Sequence, residues 1–212
     1  MEMIDRFRGC ILGLCCGNSC GYPVEFIRSK EDFLTITNGK GITELPIPAI
    51  YSDDSQMTIC IAEALIKSDG EMDKFMEYMV KRFIEWLDSQ NDPNERRAPC
   101  STCLVACQNL KAGISPEESG IPSSLSCGSA MRSAPIGLFF NKMEKIVDFG
   151  INSSKPTQTS PRSHYPAPRR RPSNARWPRQ KNCAGKSSPL FPRRAASRRP
   201  APRSGSASRM TS

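Results

Sequence analysis

An all-α fold is predicted by three features of the sequence. Apolar residues recur at three- and four-residue spacing through successive segments, Gly- and Pro-rich turn signals separate those segments, and no stretch alternates convincingly as a strand. The first helix is expected from Ile4 to about Asn18. It is unusual in carrying Gly9, Gly13, Gly17 and Gly21 at four-residue intervals, because each interior glycine costs up to ~1 kcal/mol relative to alanine. Close packing of another helix is the expected use of Gly9 and Gly13, and Gly17 and Gly21 are expected to shape the turn into Tyr22-Pro23-Val24-Glu25-Phe26.

Residues 31–50 contain Asn38-Gly39, Gly41, Pro46 and Pro48 and read as a loop with a short extended piece. A second helix is expected to start at Ser52, a good N-cap followed by Asp53 and Asp54, where carboxylates complement the helix dipole. Ile59, Ala62, Leu65 and Ile66 supply its expected apolar face, and it ends before Asp69-Gly70. The third helix, from about Glu71 to Leu87, places Met72, Phe75, Met76, Met79, Phe83, Trp86 and Leu87 at core spacing. Shorter helices are expected over Cys100–Leu110 and Ala130–Phe140, with another starting near Asn141.

Charge divides the chain. Residues 1–155 hold 16 Lys/Arg and 21 Asp/Glu, whereas residues 156–212 hold 14 Lys/Arg, no acid, ten Pro and ten Ser. The overall net charge of +9 describes neither part, so the chain does not read as a basic nucleic-acid-binding domain. The expected organisation is one helical domain over residues 1–155 and an Arg/Pro/Ser-rich tail over residues 156–212. That tail cannot bury enough apolar surface to offset chain entropy and is expected to be disordered. It reads either as a basic arm for RNA or acidic surfaces or as translation in a shifted frame, and the second is preferred because the helical pattern breaks near residue 155 without a turn signal.

The amino terminus lacks a basic n-region and no apolar run reaches the ~18 residues a membrane span needs, so a cytoplasmic protein without membrane contact is expected. Ten cysteines then read as thiols of a reducing compartment. Cys100-x2-Cys103-x3-Cys107 could be half a zinc site, but the three share a helical face and the only histidine is His164 in the tail, so buried free thiols are preferred.

Ser52-Asp53-Asp54-Ser55 exceeds what a helix cap requires, since adjacent carboxylates repel unless a cation or solvent separates them. Alone it is as well explained by capping. Four motifs in order add weight: Gly9-Cys10-Ile11-Leu12-Gly13-Leu14, Gly17 to Phe26, Tyr51-Ser52-Asp53-Asp54-Ser55-Gln56-Met57-Thr58, and Cys127-Gly128-Ser129-Ala130-Met131-Arg132-Ser133-Ala134-Pro135-Ile136-Gly137. Together they resemble the ADP-ribosylglycohydrolase family, which includes the dinitrogenase reductase-activating glycohydrolases. The resemblance covers residues 4–155, the first half to two-thirds of a family domain.

The resemblance implies an orthogonal helical bundle, truncated here and followed by the tail, with a binuclear Mg²⁺ or Mn²⁺ site that hydrolyses the glycosidic bond between ADP-ribose and a protein side chain or small-molecule acceptor. By position it implies Ser52, Asp53 and Asp54 as metal ligands and Glu25 as a ligand or general acid/base, with Glu25, Asp53 and Asp54 the catalytic set. Cys127, Gly128, Ser129, Ala130, Met131 and Arg132 are implied to cradle ADP-ribose, and backbone N–H groups at a helix start there would meet a diphosphate.

Three departures stand out. Asn18 lies where the family commonly has Asp, and Cys100-Ser101-Thr102 where many members carry a glycine. The family's Thr-His segment is replaced by Lys155-Pro156-Thr157-Gln158-Thr159-Ser160. The remaining ligands of the family come from a late Asp-x-Asp-Thr/Ser segment, and no acidic residue follows Asp148 in this chain. The chain is therefore expected to be poorly stable and inactive alone. A non-catalytic ADP-ribose-binding module, or non-specific nucleic-acid binding through Arg169-Arg170-Arg171, Arg193-Arg194 and Arg198-Arg199, are the alternatives.

Overall fold

The computed structural model describes residues 2–122, 124, 126 and 128–158, and among these it contains seven α-helices, one 3-10 turn and no strand. The expected all-α class is observed. Helix α1, Met3–Gly21, begins with a capping box in which Glu2 and Asp5 serve each other's backbone N–H groups, and it passes directly into the 3-10 turn Tyr22–Val24. It therefore runs through Gly17 and Gly21 rather than turning at them. A side-chain carbon built at any of its four glycines would meet nothing within 4 Å, so the expected close helix packing is not observed. Met3, Ile4, Phe7 and Leu12 of α1 are exposed.

Helix α2, Lys30–Ile36, occupies part of the segment expected to be a loop. Its start is a local device: the Ser29 hydroxyl accepts the Asp32 N–H at 3.0 Å, and Glu31 and Asp32 lie in the first turn. Beyond Asn38-Gly39 the chain is irregular to Ser52.

Helices α3, Asp53–Ser68, and α4, Met72–Ser89, form a hairpin. Its connection needs two left-handed residues, Asp69 at φ 51° and Gly70 at φ 71°. A Cβ at Gly70 would also lie 3.0 Å from a Phe139 ring carbon, so only glycine fits. Helix α5, Ser101–Lys111, packs on α4, α6, Ala134–Phe139, lies against α3, and α7, Met143–Ser154, closes on α4 and α6.

The core follows the α4 pattern closely. Phe75, Met79, Phe83 and Trp86 are buried, while Met72, Met76 and Leu87 pack at its edge. On α3 the buried stripe is Met57, Cys60, Ile61, Ala64 and Leu65, rotated from the expected one, and Ile59 and Ile66 face solvent. Rings of Phe75, Phe149, Phe140 and Phe139 contact in series at 4.4–5.0 Å and tie α4, α6 and α7 together. Cys103 and Cys107 are buried free thiols, as preferred, while Cys100 is half-buried.

The folded body continues past Lys155. Pro156, Thr157 and Gln158 are buried, with the Ser119 hydroxyl donating to the Pro156 carbonyl at 2.9 Å. The expected disorder and frame shift of the remaining tail, and His164, lie outside the described residues. No helix among the described residues is long and apolar enough to cross a membrane.

Phe83 is fully buried at the centre of this packing. Phe83→Ala is expected to cost about 3–5 kcal/mol in urea denaturation, whereas Ile66→Ala, at a position 70% exposed, is expected to leave the midpoint nearly unchanged.

Candidate active site

The amino-terminal end of α3 is where three separate stretches of chain meet. Asp53 is fixed twice to the segment preceding α5: its N–H donates to the Arg97 carbonyl at 3.0 Å, and its carboxylate accepts the Cys100 N–H at 2.8 Å. The Arg97 guanidinium lies over the Tyr51 ring at 4.9 Å, which holds the approach to α3 against the same segment.

From the other side Asn18 of α1 spans the whole motif. Its Nδ2 donates to Ser52 Oγ at 2.7 Å and Asp54 Oδ2 at 3.4 Å, and its Oδ1 accepts the Ser52 N–H and the Ser55 hydroxyl, each at 2.8 Å. Ser52 therefore occupies the N-cap position without capping by its side chain, which serves Asn18 instead. Ser52, Asp53 and Ser55 are buried.

Asp54 opens onto a cleft of about 550 Å³ whose floor is Gly13, Gly17 and Gly21 of α1 and whose rim includes Tyr22, Glu25 and Met131. Gly13, Gly17 and Gly21 thus border a cavity and do not pack against another helix. Gly9 does not line it.

Glu25, Asp53 and Asp54 are near enough to perturb one another. Burial pushes Asp53 up to about 6, against the pull of the Cys100 N–H, and the charges of Asp54, Cys100 and Glu25 add to the rise. Burial, then Asp54 and Cys100, raise Glu25, and burial and Cys100 raise Asp54. Among the described residues none of the three forms a salt bridge. Cys100, by contrast, is lowered to about 5 by the Cys103 thiol and by N–H groups of the first turn of α5. Its place beside the carboxylates was not read from the sequence, where only its i, i+3 relation to Cys103 was visible.

The residues from 127 to 132 divide. Cys127 lies outside the described residues. Met131 reaches the cleft, and its carbonyl accepts the Thr58 hydroxyl at 3.0 Å, which moors the segment to α3. Gly128 is buried, and the Ser129 N–H is taken by Gln158 Oε1 at 3.2 Å. Turns occupy residues 128–132 and α6 begins only at Ala134, so these N–H groups are not a helix start. Arg132 is fully buried: its Nη2 donates to the Ser153 carbonyl and Thr157 hydroxyl, and its guanidinium lies over the Phe83 ring. That placement makes Arg132 part of the core and not of the open cleft.

A family model described as ADP-ribosylglycohydrolase matches residues 1–167. The chain belongs to the ADP-ribosylglycohydrolase family. Several other proteins are similar to it. An uncharacterised protein of Archaeoglobus fulgidus is 32% identical over 154 residues, 69% of this ADP-ribosylglycohydrolase-family chain and 47% of that protein. Two proteins named ADP-ribosylarginine hydrolase Tri1 also match. That of Pseudomonas putida is 28% identical over 65% of this chain and 37% of its own length, and that of Serratia proteamaculans 26% identical over 76% and 44%. The chain thus spans less than half the length of these three relatives. No solved structure matches it significantly.

Two outcomes follow from this geometry. Asn18→Ala removes the side chain that joins α1 to the start of α3 and is expected to destabilise the protein by about 1–3 kcal/mol in chemical denaturation. Asp53→Asn tests the buried carboxylate. Because its folded pKa is raised from the usual 3.8 to about 6, the folded state binds the proton more tightly and the parent loses stability as pH rises between those values. The stability of Asp53→Asn relative to the parent is therefore expected to rise from pH 4 to pH 6; a falling difference would contradict the assigned crowding.

Proposed function

We propose that this chain carries the ion-binding end of a hydrolase that cleaves the glycosidic bond between ADP-ribose and a protein side chain, with arginine as the first acceptor to test. One observation carries the proposal. Glu25 and Asp54 line one cleft together with Gly13, Gly17 and Gly21, Asp53 lies buried beside Asp54, and burial followed by neighbouring negative charge raises the pKa of each, with no salt-bridge partner among the described residues. The names of the Pseudomonas and Serratia relatives support the arginine acceptor.

The donor set suits a hard divalent cation, because it offers oxygen atoms only and gains most from an added positive charge. Ser52, Asp53, Asp54 and Glu25 would hold Mg²⁺ or Mn²⁺, which when bound supplies Lewis acidity toward a substrate oxygen or a water molecule. The protein's own residues do the positioning. Asp53 is locked by Arg97 and Cys100, Asn18 orients Asp54, and the bare backbone of α1 leaves room for a flat ligand against Tyr22 and Met131. As the alternative to ligating the cation, Glu25, exposed and with its pKa raised by burial and by Asp54, would hand a proton to the departing acceptor.

A second reading, binding of ADP-ribose without turnover, is favoured by a different observation. Among the described residues no three His, Cys, Asp or Glu side chains converge tightly enough to hold an ion by themselves, and no acidic residue follows Asp148. On this second reading the chain alone is expected to bind ADP-ribose without turnover.

Thermal denaturation at pH 7 tests the ion. Mn²⁺ or Mg²⁺ is expected to stabilise the parent by about 2.7 kcal/mol at ~100 times its Kd and to leave Asp54→Asn unmoved. Calorimetry with ADP-ribose and release of ADP-ribose from an ADP-ribosylated arginine peptide separate binding from turnover. Robust Mg²⁺-dependent release would show that three carboxylates suffice, and the absence of both ion stabilisation and ADP-ribose binding would overturn the proposal.

A further inference from the structure

We propose that Cys100 and Cys103 form a redox-active dithiol, a site of reversible disulfide formation at the start of α5. The pair is built into the helix. Cys100 is the N-cap residue of α5 and Cys103 stands three residues on. Cys100 has the extended backbone of an N-cap, which turns its side chain toward that of the third helical residue as in a capping box, and the two thiols lie within hydrogen-bonding reach of each other, so closure needs no large movement of the backbone.

The two thiols differ as the partners of such an exchange must. Cys100 is half-buried and open to a small reagent, while Cys103 is fully buried behind it. Buried Cys103 is backed by an unusual charge. Arg132 has no exposed surface, its Nε and Nη1 meet no oxygen or nitrogen acceptor among the described residues, and its guanidinium interacts with the sulfurs of Cys103, Cys107 and Cys60. A buried cation left without a counterion is costly, and a negative sulfur at Cys103 would offset it. In the dithiol the hydrogen bond to Cys100 and burial hold the Cys103 thiol well above the ordinary range, with Arg132 pulling the other way; a mixed disulfide on Cys100 removes the first of these, which leaves Arg132 to favour the thiolate that the second step of closure requires.

With a small-molecule disulfide as oxidant the chemistry balances. The Cys100 sulfur attacks one sulfur of the reagent, forming a mixed disulfide and expelling one thiolate. The Cys103 sulfur then attacks Cys100, closing the protein disulfide and expelling the second. The two cysteines lose two electrons, the reagent is reduced to two thiols, and the two cysteine protons end on those thiols. Closure would act on the residue whose N–H holds the Asp53 carboxylate at 2.8 Å. The disulfide itself does not rest on the proposed hydrolase activity and is tested without it.

The full-length chain is equilibrated in glutathione buffers of graded ratio, quenched in acid, alkylated, reduced and alkylated again with a second reagent. Tryptic cleavage after Arg97 and Lys111 leaves Cys100, Cys103 and Cys107 in one peptide for sequencing by mass spectrometry. Cys100 and Cys103 are expected to acquire the second label together, with one midpoint, while Cys107 keeps the first. Cys103→Ser is expected to stop at a single glutathione adduct on Cys100, and Cys100→Ser to abolish oxidation of Cys103. A stable adduct on Cys100 of the parent with Cys103 still reduced, pairing of Cys103 with any other cysteine, or oxidation confined to exposed Cys10 and Cys16 would overturn the proposal.

Discussion

The site depends on one side chain crossing between two helices. Asn18 uses both its amide nitrogen and its carbonyl oxygen on the first residues of α3, satisfying Ser52, Ser55 and Asp54 at once. A buried helix start leaves N–H groups without intrahelical partners, and here they are met from outside: Ser52 N–H by Asn18 and Asp53 N–H by the Arg97 carbonyl. Because the backbone is held by these outside partners, the Asp54 carboxylate is left to face the cleft and that of Asp53 to meet Cys100. Capping alone would have turned one carboxylate back onto its own helix.

This arrangement carries a thermodynamic cost. Withdrawal from water is the main reason all three shifts are upward, and neighbouring negative charge adds to it: Asp54 and Cys100 at Glu25, Asp54, Cys100 and Glu25 at Asp53, and Cys100 at Asp54. A fold shaped only for stability would place a basic residue among them, yet the described salt bridges lie elsewhere, on α4 and its neighbours. Carboxylates left beside a cavity without a basic partner are what the ion-binding proposal rests on, and the glycines of α1 that line the same cavity fit that proposal.

Much of the fold was legible because its strongest signals are local. The Phe75-Met79-Phe83-Trp86 stripe announces α4, and Asp69-Gly70 announces the turn before it. α2 was missed because seven residues carry too little periodicity to outweigh the Gly and Pro signals after them, and its Ser29 cap is visible only when read three residues ahead to Asp32. On α3 the small residues Cys60 and Ala64 are buried in preference to Ile59 and Ile66, since the close approach of α4 selects for size as much as for hydrophobicity. For the candidate site, Ser52, Asp53, Asp54 and Glu25 could be named from motifs. The tertiary roles of Asn18, Cys100 and Gln158 could not, because their partners lie 29–47 residues away. Arg132 looked like a ligand-binding cation, and only packing reveals that its charge is spent inside the core.

The central claim is that oxygen atoms from Ser52, Asp53, Asp54 and Glu25 hold a divalent cation at the mouth of this cleft. Anomalous diffraction from crystals of the full chain grown with Mn²⁺ tests it most directly. The account predicts a manganese peak about 2 Å from carboxylate oxygens of Asp53 or Asp54; manganese bound only elsewhere on the protein, with this corner filled by water, would contradict it.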